Sequence, residues 1–328
     1  MKIKRICIVG AGSIGGWLGA RLSRCAGVQL SVFARGATLA ALQQHGLQLN
    51  TAQGVITTAV QASHDAAQLG AQDLVILAVK APAVREVAAQ ITPLLGENTI
   101  LLSAMNGVPW WFFNRFGGDL AGSQLESVDA GGEIAKHLKP EHIIGSVVHA
   151  SCSTSSPAVV QHHFGNGLII GEPSGEQTPR VQALLALLQE AGFDATLSAQ
   201  IQRDIWFKLW GNMTMNPISA ITGATTDKVL ADPQLRGFIR QVMLEAKTIG
   251  EIIGIPITQE PEDRHQVTLK LGSFKTSMLQ DTESGRAIEL DALVSAVREI
   301  GALVNVPTPW TDALLGITRV FAQQRGLY

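Results

Sequence analysis

A short apolar run at residues 5–10, RICIVG, leads directly into Gly10-x-Gly12-x-x-Gly15 and then into a helical pattern through Leu18, Leu22 and Cys25. No other stretch limits the fold as strongly. A buried strand that turns at once into a helix needs Gly10 for the tight turn. Gly12 lets the backbone approach a pyrophosphate, and Gly15 allows close packing of helix on strand. The phosphates then sit on the positive end of the helix, where its first amides have no partner in the chain. Glycines in this spacing are weak evidence alone. The strand before them and the helix after them make Gly10, Gly12, Ser13, Ile14 and Gly15 candidate cofactor-binding residues of an α/β, Rossmann-like dinucleotide-binding domain. Lys2, Lys4 and Arg5 ahead of an apolar stretch have the outline of a secretory leader, but the glycines at 10, 12, 15 and 16 fit the nucleotide reading better.

The second strand, expected at 28–34, ends at Arg35. An NAD site usually places an acid about here to accept from the ribose 2′-hydroxyl. Residues 1–64 contain no Asp or Glu, and the first acid in the chain is Asp65. A 2′-phosphate calls instead for cationic donors without a carboxylate nearby, and an arginine fork supplies them. The expected cofactor is therefore NADPH, with Arg35 as its reader. Two further strands are expected at 73–79 and 99–104. Lys80 and Asn106 follow them, at the carboxyl ends where open α/β sheets bind ligands. Both are candidate cofactor residues, against the plainer readings of a snorkelling lysine and a turn asparagine.

At 328 residues, 46% hydrophobic and 16% charged, the chain is long enough for two domains and lean in charge, which excludes disorder. A net charge of −2 without like-charge runs argues against nucleic acid and against a polybasic membrane anchor. No apolar run approaches a membrane span. Three cysteines without a C-x-x-C pair suit a reducing, cytoplasmic setting, and the histidines show no metal-ligand spacing. Alternation is visible at 143–151, 159–163 and 167–171, and residues 172–179 (EPSGEQTP) resemble a linker. The expected division is 1–175 for the NADPH-binding domain and 176–328 for an all-α domain that carries the substrate and the chemistry. Helices are expected at 180–191, 199–216, 234–253, 263–281 and 288–303, with no strand run of convincing length in this half.

Within the second of these helices stands Lys208-x-x-x-Asn212-x-x-x-Asn216-Pro217. Residues four apart share a helix face, so one ammonium and two amides form a polar row among apolar neighbours. Desolvation there would lower the lysine's pKa and improve it as a proton donor. The plainer alternative is an ion pair with Asp204. Asparagine is a poor helix former, so two on the lysine's face call for another reason. The only tyrosine is Tyr328, which excludes a Tyr-x-x-x-Lys reductase pair and leaves Lys208 as the best acid.

On these residues the chain resembles the ketopantoate reductase (2-dehydropantoate 2-reductase) family over nearly its full length. The matches are GAGSIG at 10–15, Arg35, Val79-Lys80-Ala81, Asn106-Gly107 and Lys208…Asn212…Asn216-Pro217. A C-terminal set, Ser277-Met278-x-Gln280-Asp281…Gly285-Arg286-x-x-Glu289-x-Asp291, matches as well. The resemblance implies NADPH-dependent reduction of ketopantoate to pantoate, in pantothenate and coenzyme A biosynthesis. It implies Lys208 as the acid, Asn212, Asn216 and Ser277 as substrate ligands, and Glu289 as a catalytic residue that orients substrate or lysine. From sequence alone, Ser277 reads as a solvated helix serine and Glu289 as a surface partner of Arg286. Two departures bear on the substrate: the run Trp110-Trp111-Phe112-Phe113 after Asn106-Gly107, and Val294-Ser295 where the family often has Asn-Gly. The expected partner is a small 2-oxo acid, and a homodimer is allowed. Two alternatives stay open, a paralogue acting on another 2-oxo or 2-hydroxy acid and a non-catalytic NADPH-binding regulator.

Overall fold

In strand β1 (Arg5–Val9) the side chains of Ile6, Cys7, Ile8 and Val9 are wholly buried, on both faces of the strand. Such a continuous apolar run belongs to a parallel strand covered from both sides, and β1 pairs parallel with each of its neighbours. The computed structural model describes residues 2–270 and 272–328. The chain divides into two units, Met1–Met105 with Glu133–Ile201, and Asn106–Gly132 with Gln202–Tyr328.

The first unit continues with β2 (Gln29–Phe33), β3 (Leu47–Thr51), β4 (Gly54–Thr58), β5 (Gln61–Ser63), β6 (Gln72–Leu77), β7 (Leu95–Ser103), β8 (Ile143–Ser156), β9 (Val159–Gly171) and β10 (Asp194–Leu197). Its helices are α1 (Ser13–Leu22), α2 (Gly36–His45), α3 (Ala66–Leu69), α4 (Ala81–Ala88), α5 (Glu133–His137) and α6 (Pro179–Glu190). The strands form one sheet in the order β4-β3-β9-β8-β7-β6-β1-β2-β5, with β10 beside β9. Among the described residues only β3–β4 and β8–β9 pair antiparallel. Trp17 and Leu18 of α1 are fully buried in the same apolar core as Ile8, Leu47 and Val160.

The second unit is helical: α7 (Ile201–Thr222, whose first residue belongs to the first unit), α8 (Thr226–Ala231), α9 (Pro233–Ile252), α10 (Pro261–Leu269), α11 (Ser277–Glu283), a π-helical turn at Asp291–Ser295, α12 (Ala296–Leu303) and α13 (Pro309–Gln323). Local chemistry sets the ends. Asp232 accepts from the amides of Gln234 and Leu235 to start α9, with Pro233 in the first turn, where its missing N–H costs nothing.

Several expectations need correction. The helix expected over 263–281 is two helices. Gly272 turns the chain with φ +67°, and Thr276 starts a new helix by accepting from the Leu279 amide. The helix expected at 199–216 continues through Pro217 to Thr222. A strand, β10, does lie beyond residue 175, parallel to β9. The units divide at Ile201 and Gln202 rather than at 175 and 176, and residues 106–132 join the helical unit. The linker-like stretch is instead anchored. Glu172 is 4% exposed and accepts from Thr178 Oγ1 and, at 2.7 Å, from Arg180 Nε, which also pairs with it through Nη2.

Candidate active site

The glycine turn is built as the spacing requires. Gly10 has φ +91°, and a Cβ there would lie 2.6 Å from Val79 Cγ1. A Cβ on Gly15 would lie 2.1 Å from the Gly10 carbonyl oxygen, so the helix can sit this close only with glycine. Above exposed Gly12 there is open space within 4 Å. Helix α1 begins at Gly12 with no side-chain cap and no acid in its first turn, and Ser13 and Ile14 supply its first positions. A helix start left open in this way offers its amides and positive end to an anion. The turn therefore fits a pyrophosphate.

Arg35 is the N-cap residue of α2, which also lacks an acid in its first turn. The chain places an acid beside it nonetheless: Glu86 of α4 pairs with the Arg35 guanidinium, both side chains exposed. The acid-free stretch is thus a property of the sequence up to residue 64 and not of the space around Arg35. An exposed pair of this kind is worth little and yields to a stronger anion. Lys80 is the N-cap residue of α4 and half-buried.

In the helical unit, α7 is fixed by one face and presents another. Trp206 Nε1 donates to the Ala246 carbonyl at 3.2 Å and Trp210 Nε1 to the Met243 carbonyl at 2.7 Å, which ties that face to α9. At 100° per residue the row Lys208, Asn212, Asn216 lies on the opposite side. Lys208 Nζ donates to Asn106 Oδ1 at 2.8 Å. Burial lowers its pKa most, Glu289 raises it and Arg264 lowers it again, to about 8. Asn106, expected as a cofactor residue, is therefore seated against the lysine. Its position is held by the next two residues. Val108 N donates to the Ala292 carbonyl at 2.8 Å, and Gly107, φ +80°, has no room for a Cβ, which would meet that carbonyl oxygen at 2.5 Å.

Ala292 belongs to the π turn that follows Glu289, so one contact brings the Asn106 loop and the Glu289 segment together. Glu289 is 8% exposed and its charge acts on Lys208. Arg286, its expected surface partner, pairs with Asp281 at 3.1 Å. Asn216 is buried and its Nδ2 donates to Ser277 Oγ at 3.4 Å, a long bond to the exposed first residue of α11. Asn212 is half-buried in the same row. The run Trp110–Phe113 is core: Phe112 is fully buried with its ring 5.9 Å from that of Trp206. The only tyrosine, Tyr328, donates to Asp291 Oδ1 at 2.8 Å.

Sequence reasoning missed Arg264 on α10. Its guanidinium lies over the Phe207 ring at 5.5 Å and against the backbone of Gly211, where a Cβ would stand 2.7 Å from Nε. Burial lowers its pKa. A single arginine in the first turn of an expected helix carries no signal of its own in one sequence.

The site so assembled is a partly desolvated ammonium flanked by amides, a buried carboxylate and a second cation, chemistry suited to a carbonyl that gains negative charge. The family profile described as Ketopantoate reductase PanE/ApbA matches residues 6–112, and that described as Ketopantoate reductase PanE/ApbA C terminal matches residues 200–322. Over 324 residues, 99% of each chain, the protein is 44% identical to a 2-dehydropantoate 2-reductase of Mesorhizobium japonicum. The chain belongs to the ketopantoate reductase family. It shares that family's fold, a mostly parallel sheet flanked by helices and a helical C-terminal part, and is an oxidoreductase of it. A solved structure from Ralstonia solanacearum MolK2 is 55% identical, covers 100% of both chains and superposes with a TM-score of 0.96. D-mandelate dehydrogenase, solved with NADH and anilino(oxo)acetate, superposes at 0.83 over 99% of this chain and 100% of its own, with 20% identity, a likeness of fold alone. Among the described residues no helix is long and apolar enough to cross a membrane.

Proposed function

We propose that this member of the ketopantoate reductase family reduces 2-dehydropantoate (ketopantoate) to pantoate with NADPH. The observation that carries the reading is Lys208: an ammonium with a pKa near 8, held by Asn106 in line with Asn212 and Asn216. NADPH, when bound, supplies the hydride. Lys208 gives its proton to the ketone oxygen as the carbonyl carbon becomes tetrahedral, so the alkoxide charge is neutralised as it forms. The neutral amine then regains a proton from solvent. Asn106 orients Nζ, and Glu289 keeps the ammonium charged against the cost of burial. Asn212, Asn216 and Ser277 hold the substrate's hydroxyl and carboxylate oxygens.

For the cofactor, the open helix start at Gly12, Ser13 and Ile14 fits the pyrophosphate. Arg35 would exchange Glu86 for the 2′-phosphate, which carries more charge and three acceptor oxygens. Lys80 is the further cofactor residue of this reading.

Of the two departures from the family pattern, the aromatic run and Val294 are buried, and half-buried Ser295 is spent on a bond to Asp291 Oδ1 at 2.7 Å. They therefore favour ketopantoate over a bulkier acid. The test is steady-state NADPH oxidation with ketopantoate beside unbranched and aromatic 2-oxo acids. Ketopantoate should be preferred, and Arg35→Ala should weaken NADPH far more than NADH. Turnover of a different 2-oxo acid with none of ketopantoate would move the chain to a paralogue, and no turnover at all would make it a binding protein.

A further inference from the structure

Two charges of opposite sign act on Lys208 of α7. Glu289 favours its charged form and the Arg264 guanidinium opposes it. Among the described residues Arg264 has no ion-pair partner, and its buried Nε makes no hydrogen bond. Arg264 is half-buried, and a buried N–H left without an acceptor is costly and calls for a reason such as a ligand that completes the group. Its placement is specific. Phe207 and Gly211 are four residues apart on the flank of α7, next to the row of Lys208 and Asn212. The guanidinium lies on that flank because residue 211 has no side chain to exclude it. A planar fork seated against an aromatic ring keeps its N–H edge for a carboxylate, which it can bind through two parallel bonds.

We propose that Arg264 is a further, charged ligand of the substrate's carboxylate, beside the neutral Asn212, Asn216 and Ser277, and that it makes the enzyme selective for 2-oxo acids over neutral ketones. The proposal rests on the reductase reading above and adds to it a residue that positions the ketone by its neighbouring group. A 2-oxo acid carries its carboxylate one bond from the reacting carbonyl. An anchor beside Lys208 therefore fixes the carbonyl oxygen at the proton donor, and the entering carboxylate offsets the repulsion between Arg264 and the ammonium.

The test compares wild type, Arg264→Met and Arg264→Lys in kcat/KM for 2-oxo acids and for the methyl esters of the same acids. Wild type should favour acid over ester. Arg264→Met should lose about 10- to 150-fold on the acid, the measure of one charge-assisted contact, with the ester rate nearly unchanged. Arg264→Lys, which keeps the charge but not the fork, should fall between. A second readout needs no turnover: calorimetric binding of oxamate, an unreactive 2-oxo acid analogue, to each protein with NADP⁺ present. Oxamate should bind wild type at least tenfold more tightly than Arg264→Met, and ethyl oxamate should bind both alike. Equal oxamate binding by wild type and Arg264→Met overturns the proposal, as does an equal loss on acid and ester. If no 2-oxo acid is reduced while oxamate still discriminates, the reductase reading fails and the carboxylate site stands.

Discussion

At the scale of single residues the proposed chemistry turns on Lys208. In the proposed mechanism the protonated form is the donor, so activity is expected below its pKa and should be lost as pH rises through about 8. Measured as kcat/KM against pH, wild type should show this alkaline limb. Glu289→Gln removes the charge that raises the lysine's pKa and should move the limb to lower pH. Lys208→Ala should abolish the limb and cut kcat by roughly 10²–10⁴-fold, with NADPH affinity little changed. Near-wild-type turnover by Lys208→Ala would take the lysine out of the mechanism. The polar row itself is legible in sequence, because a four-residue spacing within a helix admits one geometry. The partners that tune the lysine are not legible. Asn106 lies 102 residues away in the chain and Glu289 81, and spacing says nothing across such distances.

Elements decide how those partners arrive. Helix α7 turns its tryptophans onto α9, and this anchoring aims Lys208, Asn212 and Asn216 to the other side. The Asn106 loop reaches the lysine through the contact of Gly107 and Val108 with Ala292. Gly107→Ala must strain a left-handed backbone and push aside a carbonyl, at a cost of about 1–3 kcal/mol. Displacement of Asn106 should lower kcat/KM by on the order of 10²-fold, since small misplacements of a catalytic group are expensive. Denaturant unfolding together with steady-state kinetics checks both effects. Unchanged kinetics would mean that Asn106 does not set the position of Lys208. Helices with plain start signals, such as α6 behind Thr178-Pro179, are readable from sequence. The break between α10 and α11 was not, because apolar spacing continues across it while Gly272 and Thr276 end one helix and begin the next.

At the scale of the whole molecule, chain order and spatial grouping part company. Residues 106–132 leave the sheet after β7 and supply core to the helical unit, where Gln202 Nε2 donates to the Phe112 carbonyl and Glu299 accepts from the amides of Glu126 and Ser127. Composition marks 172–179 as a boundary, yet Glu172 and Arg180 bind that stretch into the sheet unit. Arg180→Met leaves a buried carboxylate without its cation and should destabilise by about 3 kcal/mol, and adding Glu172→Leu should restore part of the loss. Urea unfolding followed by circular dichroism reads both, and an unchanged midpoint in Arg180→Met would show the pair to be dispensable. By itself the sequence determined the glycine turn, the central parallel strands and the lysine row. Those depend on neighbours within a few residues, where backbone geometry leaves little choice. Tertiary structure alone decided that Glu86 meets Arg35, that Asn106 bonds Lys208 and the Glu289 charge acts on it, and that Arg264 lies at Gly211, because charges and amides distant in the chain meet only when packing brings their elements together.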